Sequence, residues 1–408
     1  MTQATQDNPA VAIIGGGGTG CALAWDLALR GCRVSLFEQG EFTSGTTGRH
    51  HGQLHCGARY AVRDRRIAAE CLRESLTLRR IAPETIEYNG GFFVAVTDDE
   101  AAYGDVFISA CLAAGIPARD LPPLEARRVE PGLTPSVRRA VWVPDGTFDT
   151  FRLPLSFLAA ARRLGASLHP FASVSAIDLR AGRVAGLSWR RADGVERRAA
   201  FDCVINAAGA WADSVAALAG GRVPLTPAAG AMLAVRGRLS DLVISRLAPP
   251  GDGDIIVPQR GLSIIGSTQR RADSPDGLLP LPEELDFLLR RADELLPAFS
   301  AQPRQAAWAA VRPLAGLADG DGRAISRDLA LIDHAAEGAA GLLSIVGGKA
   351  TVLRAMAERA ADQACRYLGL SGACRSANYR LPSWREFYQP LPAGSFTPAE
   401  PGLELAPC

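Results

Sequence analysis

The chain has 408 residues, 44 basic and 43 acidic, and 48% of them are hydrophobic. That length holds one large or two medium domains around a sizeable core, and the balanced charge gives no reason to expect nucleic acid or an anionic membrane as partner. Its nine cysteines form no C-x-x-C pair and no zinc or iron–sulfur spacing, so no metal site is expected and reduced thiols in a cytoplasmic protein are.

MTQATQDNP (1–9) lacks the basic and apolar regions of a secretion signal, and no run of about 18 apolar residues is present to form a transmembrane segment. Residues 11–39, VAIIGGGGTGCALAWDLALRGCRVSLFEQ, read as strand, glycine turn, helix and strand. Gly15, Gly17 and Gly20 fill G-x-G-x-x-G between strand and helix, with Gly18 beside them. The first glycine allows the tight turn, the second lets backbone approach a pyrophosphate, and the third lets helix and strand pack closely. The helix N-terminus then offers free N–H groups and a positive dipole to phosphates. Glu38, ending the second strand, is placed to accept from a ribose hydroxyl. The unit predicts a dinucleotide site.

Beyond it, TSGTTGRHHGQLHCGARY (43–60) is polar and glycine-rich where a plain NAD domain would continue into helix. Thr46, Thr47, Gly48, His51 and Gly52 are its candidate cofactor contacts. His50, His51 and His55 crowd this loop beside Arg59 without a carboxylate, which does not suit a metal, and His55 is the candidate base. Residues 67–82 predict an amphipathic helix, 91–96 a strand, 160–166 a helix, and 173–209 three antiparallel strands turning near Gly182 and Gly194. The last of these runs through VINAAGAWA (204–212) and brings Ala208, Gly209 and Trp211 back to the cofactor, Trp211 against its adenine half.

Residues 223–270 alternate short strand-like runs with Pro and Gly, and 282–297 predict a charged helix with a solvated face. GLLSIVGG (341–348) is a buried strand that delivers Gly347, Gly348 and Lys349 to a helix starting near Thr351. His334 falls in a predicted hairpin before that strand and has a structural role. The fold class expected is α/β, a Rossmann-type FAD-binding domain with an inserted antiparallel-sheet (α+β) substrate domain. The cofactor domain is discontinuous over 10–80, 140–215 and 305–372, the substrate domain takes 81–139 and 216–304, and a Pro-rich tail takes 373–408.

An enzyme holding both FAD and NAD usually needs two Rossmann units, and one fingerprint is present, so FAD alone is expected. The 44 basic residues include a single lysine, Lys349, directly after two glycines. Base-composition drift toward arginine explains the rest and leaves this ammonium to be accounted for.

IIGGGGTG with LRGCRVSLFE, TGRHHGQLHCGARYAV, VPDGTFDTFRL, VINAAGAW, IIVP with LSIIGST, AAVRPLAG, LALIDHA and IVGGK run in one order over residues 11 to about 370. In these stretches the chain resembles the FAD-dependent glycerol-3-phosphate dehydrogenases, and most the catalytic A subunit of the anaerobic enzyme, within the D-amino-acid-oxidase-like flavoproteins. The resemblance implies hydride transfer from a substrate carbinol carbon to flavin N5. It carries substrate-site roles onto Arg59 and Tyr60 of GARY, Arg312 of VRPL and Lys349 of GGK. Arg312 and Lys349 join His55 as the candidate catalytic residues.

A small anionic substrate such as a phosphomonoester suits that set, since arginine forks bind it bidentately and lysine acts as a point charge. Arg49 and Arg354 rank lower as chance arginines. Where the family shows a P-x-K-G-S-like stretch, the chain has PAAGAM with Ala229 in place of lysine. Val352 and Leu353 stand where the family carries a hydroxyl and a phenol. The family's catalytic chain continues into a Cys-rich 2Fe–2S segment without counterpart in these residues, which implies electron-accepting partner subunits, a quinone or a soluble acceptor. Any membrane association would be peripheral, through a partner. The alternative readings are a related FAD-dependent 2-hydroxy-acid or amino-acid dehydrogenase or oxidase, and a flavin-bearing subunit that serves as an electron relay.

Overall fold

The computed structural model describes residues 8–317 and 328–390. A six-stranded sheet runs in the order Leu329–Asp333, Leu342–Gly347, Cys203–Asn206, Ala10–Ile14, Arg33–Phe37, Ser167–His169. Its strands are parallel except Leu329–Asp333, which pairs antiparallel with Leu342–Gly347. Alternation along the central strand sorts its two faces. Val11 and Ile13 pack on the helices Gly18–Leu29, Arg152–Arg163 and Leu353–Leu368, while Ala10, Ala12 and Ile14 face a three-stranded meander, Ala172–Arg180, Arg183–Arg191 and Glu196–Ala200. With both faces covered, VAII reads as an unbroken apolar run.

The second sheet runs Arg270–Arg271, Leu225–Arg236, Leu262–Gly266, Ile255–Gln259, Val243–Arg246, Gly91–Ala95, Arg139–Val143, Arg119–Leu121. Arg304–Ala315 also pairs with Leu225–Arg236. The pairs are antiparallel except Val243–Arg246 with Gly91–Ala95. Helix Pro282–Leu295 covers one face, its Leu288, Leu289, Ala292 and Leu295 packed on Leu233, Val235, Ile256 and Ile265. Helix Asp98–Ala113 covers the other, Phe107 and Cys111 meeting Phe93 and Val141. Each such buried large side chain contributes roughly 1.5–3 kcal/mol.

Several elements depart from the sequence expectation. The third antiparallel strand ends at Ala200, and Cys203–Asn206 joins the parallel sheet instead, because CVIN is buried on both faces and needs a sheet covered on both. Arg304–Ala315, expected with the cofactor part, hydrogen-bonds within the second sheet from Leu225↔Ala315 to Val235↔Arg304. Arg139–Val143 lies there too, paired with Gly91–Ala95. The helix expected at 160–166 starts at Arg152. Helix Asp98–Ala113 has no sequence expectation, although Thr97 and Glu100 form its capping box. The tail is packed as far as it is described: Tyr379 and Leu381 are buried, and the Phe387 ring stands edge-on to Phe42. Residues 391–408 lie outside the described residues.

Candidate active site

Gly15 leaves the central strand with φ +109°, and a Cβ there would lie 2.6 Å from the Ala207 carbonyl oxygen. At Gly20 a Cβ would fall 1.9 Å from the Gly15 carbonyl oxygen, so helix Gly18–Leu29 starts tight against the strand only with glycine. Gly18 N donates to Thr47 Oγ1 at 2.9 Å, and Thr46 Oγ1 donates to Val311 O at 2.6 Å, tying the 46–49 turn to both layers. Glu38 accepts from Gly16 N at 2.7 Å and from Gly40 N at 2.8 Å. A carboxylate accepts about four hydrogen bonds, so these two fix Glu38 and leave acceptor capacity for ribose hydroxyls.

These residues line a cavity of about 1170 Å³, above the roughly 300–1,000 Å³ of ordinary small-molecule sites. Gly15, Gly17, Gly18, Glu38, Thr46 and Thr47 form one end. Ala208, Gly209, Trp211, Gly347, Gly348 and Lys349 border the same space, and so does His51. Gly20, Gly48, Gly52 and Thr351 stand behind the lining. A Cβ at Gly52 would meet Gln259 Nε2 at 2.0 Å, and Thr351 Oγ1 accepts from His55 N at 3.0 Å. Trp211 Nε1 donates to Asp276 Oδ1 at 3.0 Å, with its ring beside Gly45. Room, glycine backbone, a helix start and an anchored acid together fit a dinucleotide.

The other end gathers Arg59, Tyr60, Arg312 and Lys349 from three distant segments of the chain. Arg59 Nη2 donates to Gly251 O at 3.0 Å and lies 3.4 Å from Asp254 Oδ2, while its Nη1 is buried without a protein acceptor. Arg312 donates to Ser267 Oγ and, at 3.1 Å, to Thr268 O. Lys349 Nζ stands 5.0 Å from the centroid of the Tyr60 ring, close enough for a cation–π contact. The His55 ring lies 5.5 Å from the same ring.

The histidines are half-buried in the cavity wall. Gly52 N donates to His50 Nδ1 at 3.0 Å and Gln53 N to His51 Nδ1 at 3.2 Å, which leaves the neutral rings their proton on Nε2. Burial pushes His50 down to about 4. Burial, then the charges of His50, Arg59 and Arg312, pushes His51 down to about 3. His55 is held well below the usual range, by burial first and then by His51, Arg59 and Lys349. All three are neutral at pH 7, so His55, whose buried Nδ1 has no protein partner, has a lone pair available for a proton. Arg59, Arg312 and Lys349 bring formal positive charge to this wall, and Arg49 and Arg63 also line the cavity.

Ser267, Gln269 and Asp252 also border the cavity and carry no sequence expectation, although Ser267 lies within LSIIGST, one of the family-like stretches. Asp145, in VPDGTFDTFRL, has none either; it is buried, accepts from Gln53 Nε2 at 2.8 Å and Cys56 N at 2.7 Å, and so shapes the histidine loop. Arg49 reaches the cavity, whereas Arg354 is buried elsewhere, 2.6 Å from Glu74. Ala229 is buried outside the lining, paired with Val311 and Arg270, and Leu353 borders the cavity beside Gly18. His334, between the last two strands, bonds Ser344 Oγ through Nε2 at 2.8 Å. Among the described residues no group of three His, Cys, Asp or Glu could hold a metal, and no helix is long and apolar enough to cross a membrane.

A glycine-cradled cavity that fits a dinucleotide, bordered by a Rossmann-type layer and a large mixed sheet, is the arrangement of a dinucleotide-dependent enzyme. The profile of the FAD dependent oxidoreductase family matches residues 10–361. The chain is 39% identical over 397 residues to the A1 subunit of the anaerobic glycerol-3-phosphate dehydrogenase of Haloferax volcanii, covering 93% of this chain and 67% of that protein. It is 40% identical over 381 residues to the A subunit of the Escherichia coli K12 enzyme, covering 92% and 70%. The glycerol-3-phosphate dehydrogenase of Bacillus halodurans, solved with FAD, shares the fold with a TM-score of 0.70 at 23% identity, over 92% of this chain and 68% of that one. The chain belongs to the FAD-dependent oxidoreductase family, among the relatives of the anaerobic glycerol-3-phosphate dehydrogenase A subunits, and its cofactor is FAD.

Proposed function

We propose that this chain oxidises sn-glycerol 3-phosphate, or a similarly small anionic secondary alcohol, and passes the electrons to a partner subunit or a quinone. The observation that carries the reading is the placing of Arg59, Arg312 and Lys349 on one cavity with the glycine cradle. Bound FAD supplies the hydride acceptor, N5. Arg59 and Arg312 hold the anionic group through fork-shaped donors, each charge-assisted hydrogen bond contributing about 1.5–3 kcal/mol. Lys349 places a compact charge at the flavin end, steadied over Tyr60. His55, neutral and fixed through its backbone by Thr351, takes the hydroxyl proton as the carbinol carbon loses hydride, so that a ketone leaves. That the relatives are named as components of a larger enzyme supports an electron-accepting partner, and in the same proposal the chain works in the cytoplasm and meets a membrane only through that partner.

The test is anaerobic bleaching of the bound flavin by sn-glycerol 3-phosphate, lactate and glycine in turn, followed by dye-coupled turnover. Bleaching by the phosphate ester is the expected result. Bleaching by lactate or glycine alone would replace the phosphate by a carboxylate as the recognised group.

A further inference from the structure

Residues 282–297 read as a solvated charged helix, yet two charged side chains of helix Pro282–Leu295 turn inward, toward the backs of both substrate-site arginines. In its first turn Glu284, 9% exposed, accepts from Thr268 Oγ1 at 2.6 Å and from Leu281 N at 2.9 Å. Thr268 Oγ1 also accepts from Ala231 N at 2.9 Å, and the Thr268 carbonyl accepts from Arg312 Nη2 at 3.1 Å. Two turns along the helix, Arg291 Nη2 donates to Asp254 Oδ1 at 3.1 Å. The other oxygen of Asp254, a residue only 3% exposed, lies 3.4 Å from Arg59 Nη2.

Glu284 and Arg291 are seven residues apart, which puts them on one side of the helix. Leu288, Leu289, Ala292 and Leu295 fix that helix to the sheet. The chain of charges continues behind it, from Arg291 to Glu294 at 3.0 Å and from Glu294 to Arg246, which meets Glu100 at 2.8 Å. Neither Glu284 nor Arg291 reaches the cavity, while Ser267, Gln269, Gly251 and Asp252, flanking the two relay residues, do.

We infer that helix 282–295 is a positioning element that seats both arginines from behind, Arg312 through Glu284 and Thr268, and Arg59 through Arg291 and Asp254. This rests on the reading that Arg59 and Arg312 bind the anionic group of the substrate. A guanidinium on a long side chain loses rotamer freedom when it binds, and a seat formed beforehand removes that cost from the binding step. Each relay ends in a carbonyl or carboxylate that holds one guanidinium nitrogen. Orientation is thereby set by residues that never touch the substrate.

The experiment uses the FAD-loaded full chain, dye-coupled turnover of sn-glycerol 3-phosphate, and the variants Thr268→Val, Thr268→Ser, Arg291→Met, Arg291→Lys and Arg59→Ala. Flavin content and Tm are recorded for each. Thr268→Val and Arg291→Met should raise KM about tenfold with kcat changed less than about twofold, the size of one weakened hydrogen bond. Thr268→Ser and Arg291→Lys should recover most of the loss. In the Arg59→Ala background Arg291→Met should add nothing, because its effect passes through Arg59. Parent-like KM in both truncated variants, or an undiminished effect of Arg291→Met without Arg59, overturns the inference. An unchanged KM in Arg59→Ala itself overturns the anion-binding reading beneath it.

Discussion

Gly230 offers the sharpest test of the anion wall because its missing side chain is what gives Arg312 room. It sits in Leu225–Arg236 opposite Ala310, and a Cβ there would come within 2.4 Å of Thr268 O and within 2.7 and 2.8 Å of the two terminal nitrogens of Arg312. Real Cβ contacts stay beyond 3.0 Å, so Gly230→Ala has to displace something. The guanidinium ends a flexible side chain and can swing away, at the cost of its hydrogen bonds to Ser267 and Thr268. The Thr268 carbonyl is backbone, held by its own N–H to Ala231 O at 3.3 Å and by its hydroxyl to Glu284. Both contacts must open, so Arg312 is displaced and the Thr268 carbonyl that seats it shifts as well. Losing one charge-assisted hydrogen bond to the substrate, about 1.5–3 kcal/mol, lowers kcat/KM roughly 10- to 150-fold. Overpacking adds about 1–3 kcal/mol of instability. The assay is dye-coupled oxidation of sn-glycerol 3-phosphate, with flavin absorbance and Tm measured on the same sample. A variant that keeps its flavin and a kcat/KM within about twofold of the parent would refute the role given to Arg312.

Gly20→Ala, whose Cβ would fall 1.9 Å from the Gly15 carbonyl oxygen, should yield protein with little bound flavin, read as the flavin-to-protein absorbance ratio and a weakened FAD titration; full flavin content would contradict the cradle. Arg354→Ala leaves Glu74, 5% exposed, without its partner and should destabilise the fold by about 3–5 kcal/mol by denaturant titration, with unchanged KM in the folded fraction. The pH dependence follows from the histidines. His50 and His51 titrate near 4 and 3 when folded, but near 6.5 when unfolded, so the unfolded chain binds more protons as pH falls. Stability should therefore decline from about pH 6.5 toward pH 4, by at most about 1.4 kcal/mol per pH unit for each histidine, and His51→Asn should flatten that slope. Equal slopes in parent and variant would remove His51 from the account.

The strand, glycine turn and helix were legible because each requirement falls on adjacent residues. A strand covered on both faces gives VAII, the cradle needs glycine at 15 and 20, and the acid ends the next strand at Glu38. The second sheet was less legible. AAWAAVRPLA is poor in large side chains, so no alternation betrays which sheet receives Arg304–Ala315, and its partner lies far away at Leu225–Arg236. Arginine-rich composition hid function in another way. Residue type alone does not separate Arg59, which borders the cavity, from Arg246 and Arg354, which are buried in ion pairs, nor does it show that Arg291 faces inward.

The single lysine was informative for the opposite reason, since nothing else in the chain could be mistaken for it. Gly347 and Gly348, directly before it, both border the cavity. Both have left-handed φ, of 80° and 73°, and a Cβ would meet the Asp328 carbonyl oxygen at 2.6 Å in one case and Met356 Sδ at 2.4 Å in the other. Left-handed backbone and these close neighbours favour glycine at both positions. Lys349 follows with extended backbone at φ −133°, and its ammonium comes to rest over Tyr60, a residue of the GARY stretch. The turn thus aims one compact charge at a ring supplied by a distant part of the chain, a relation that only the fold creates.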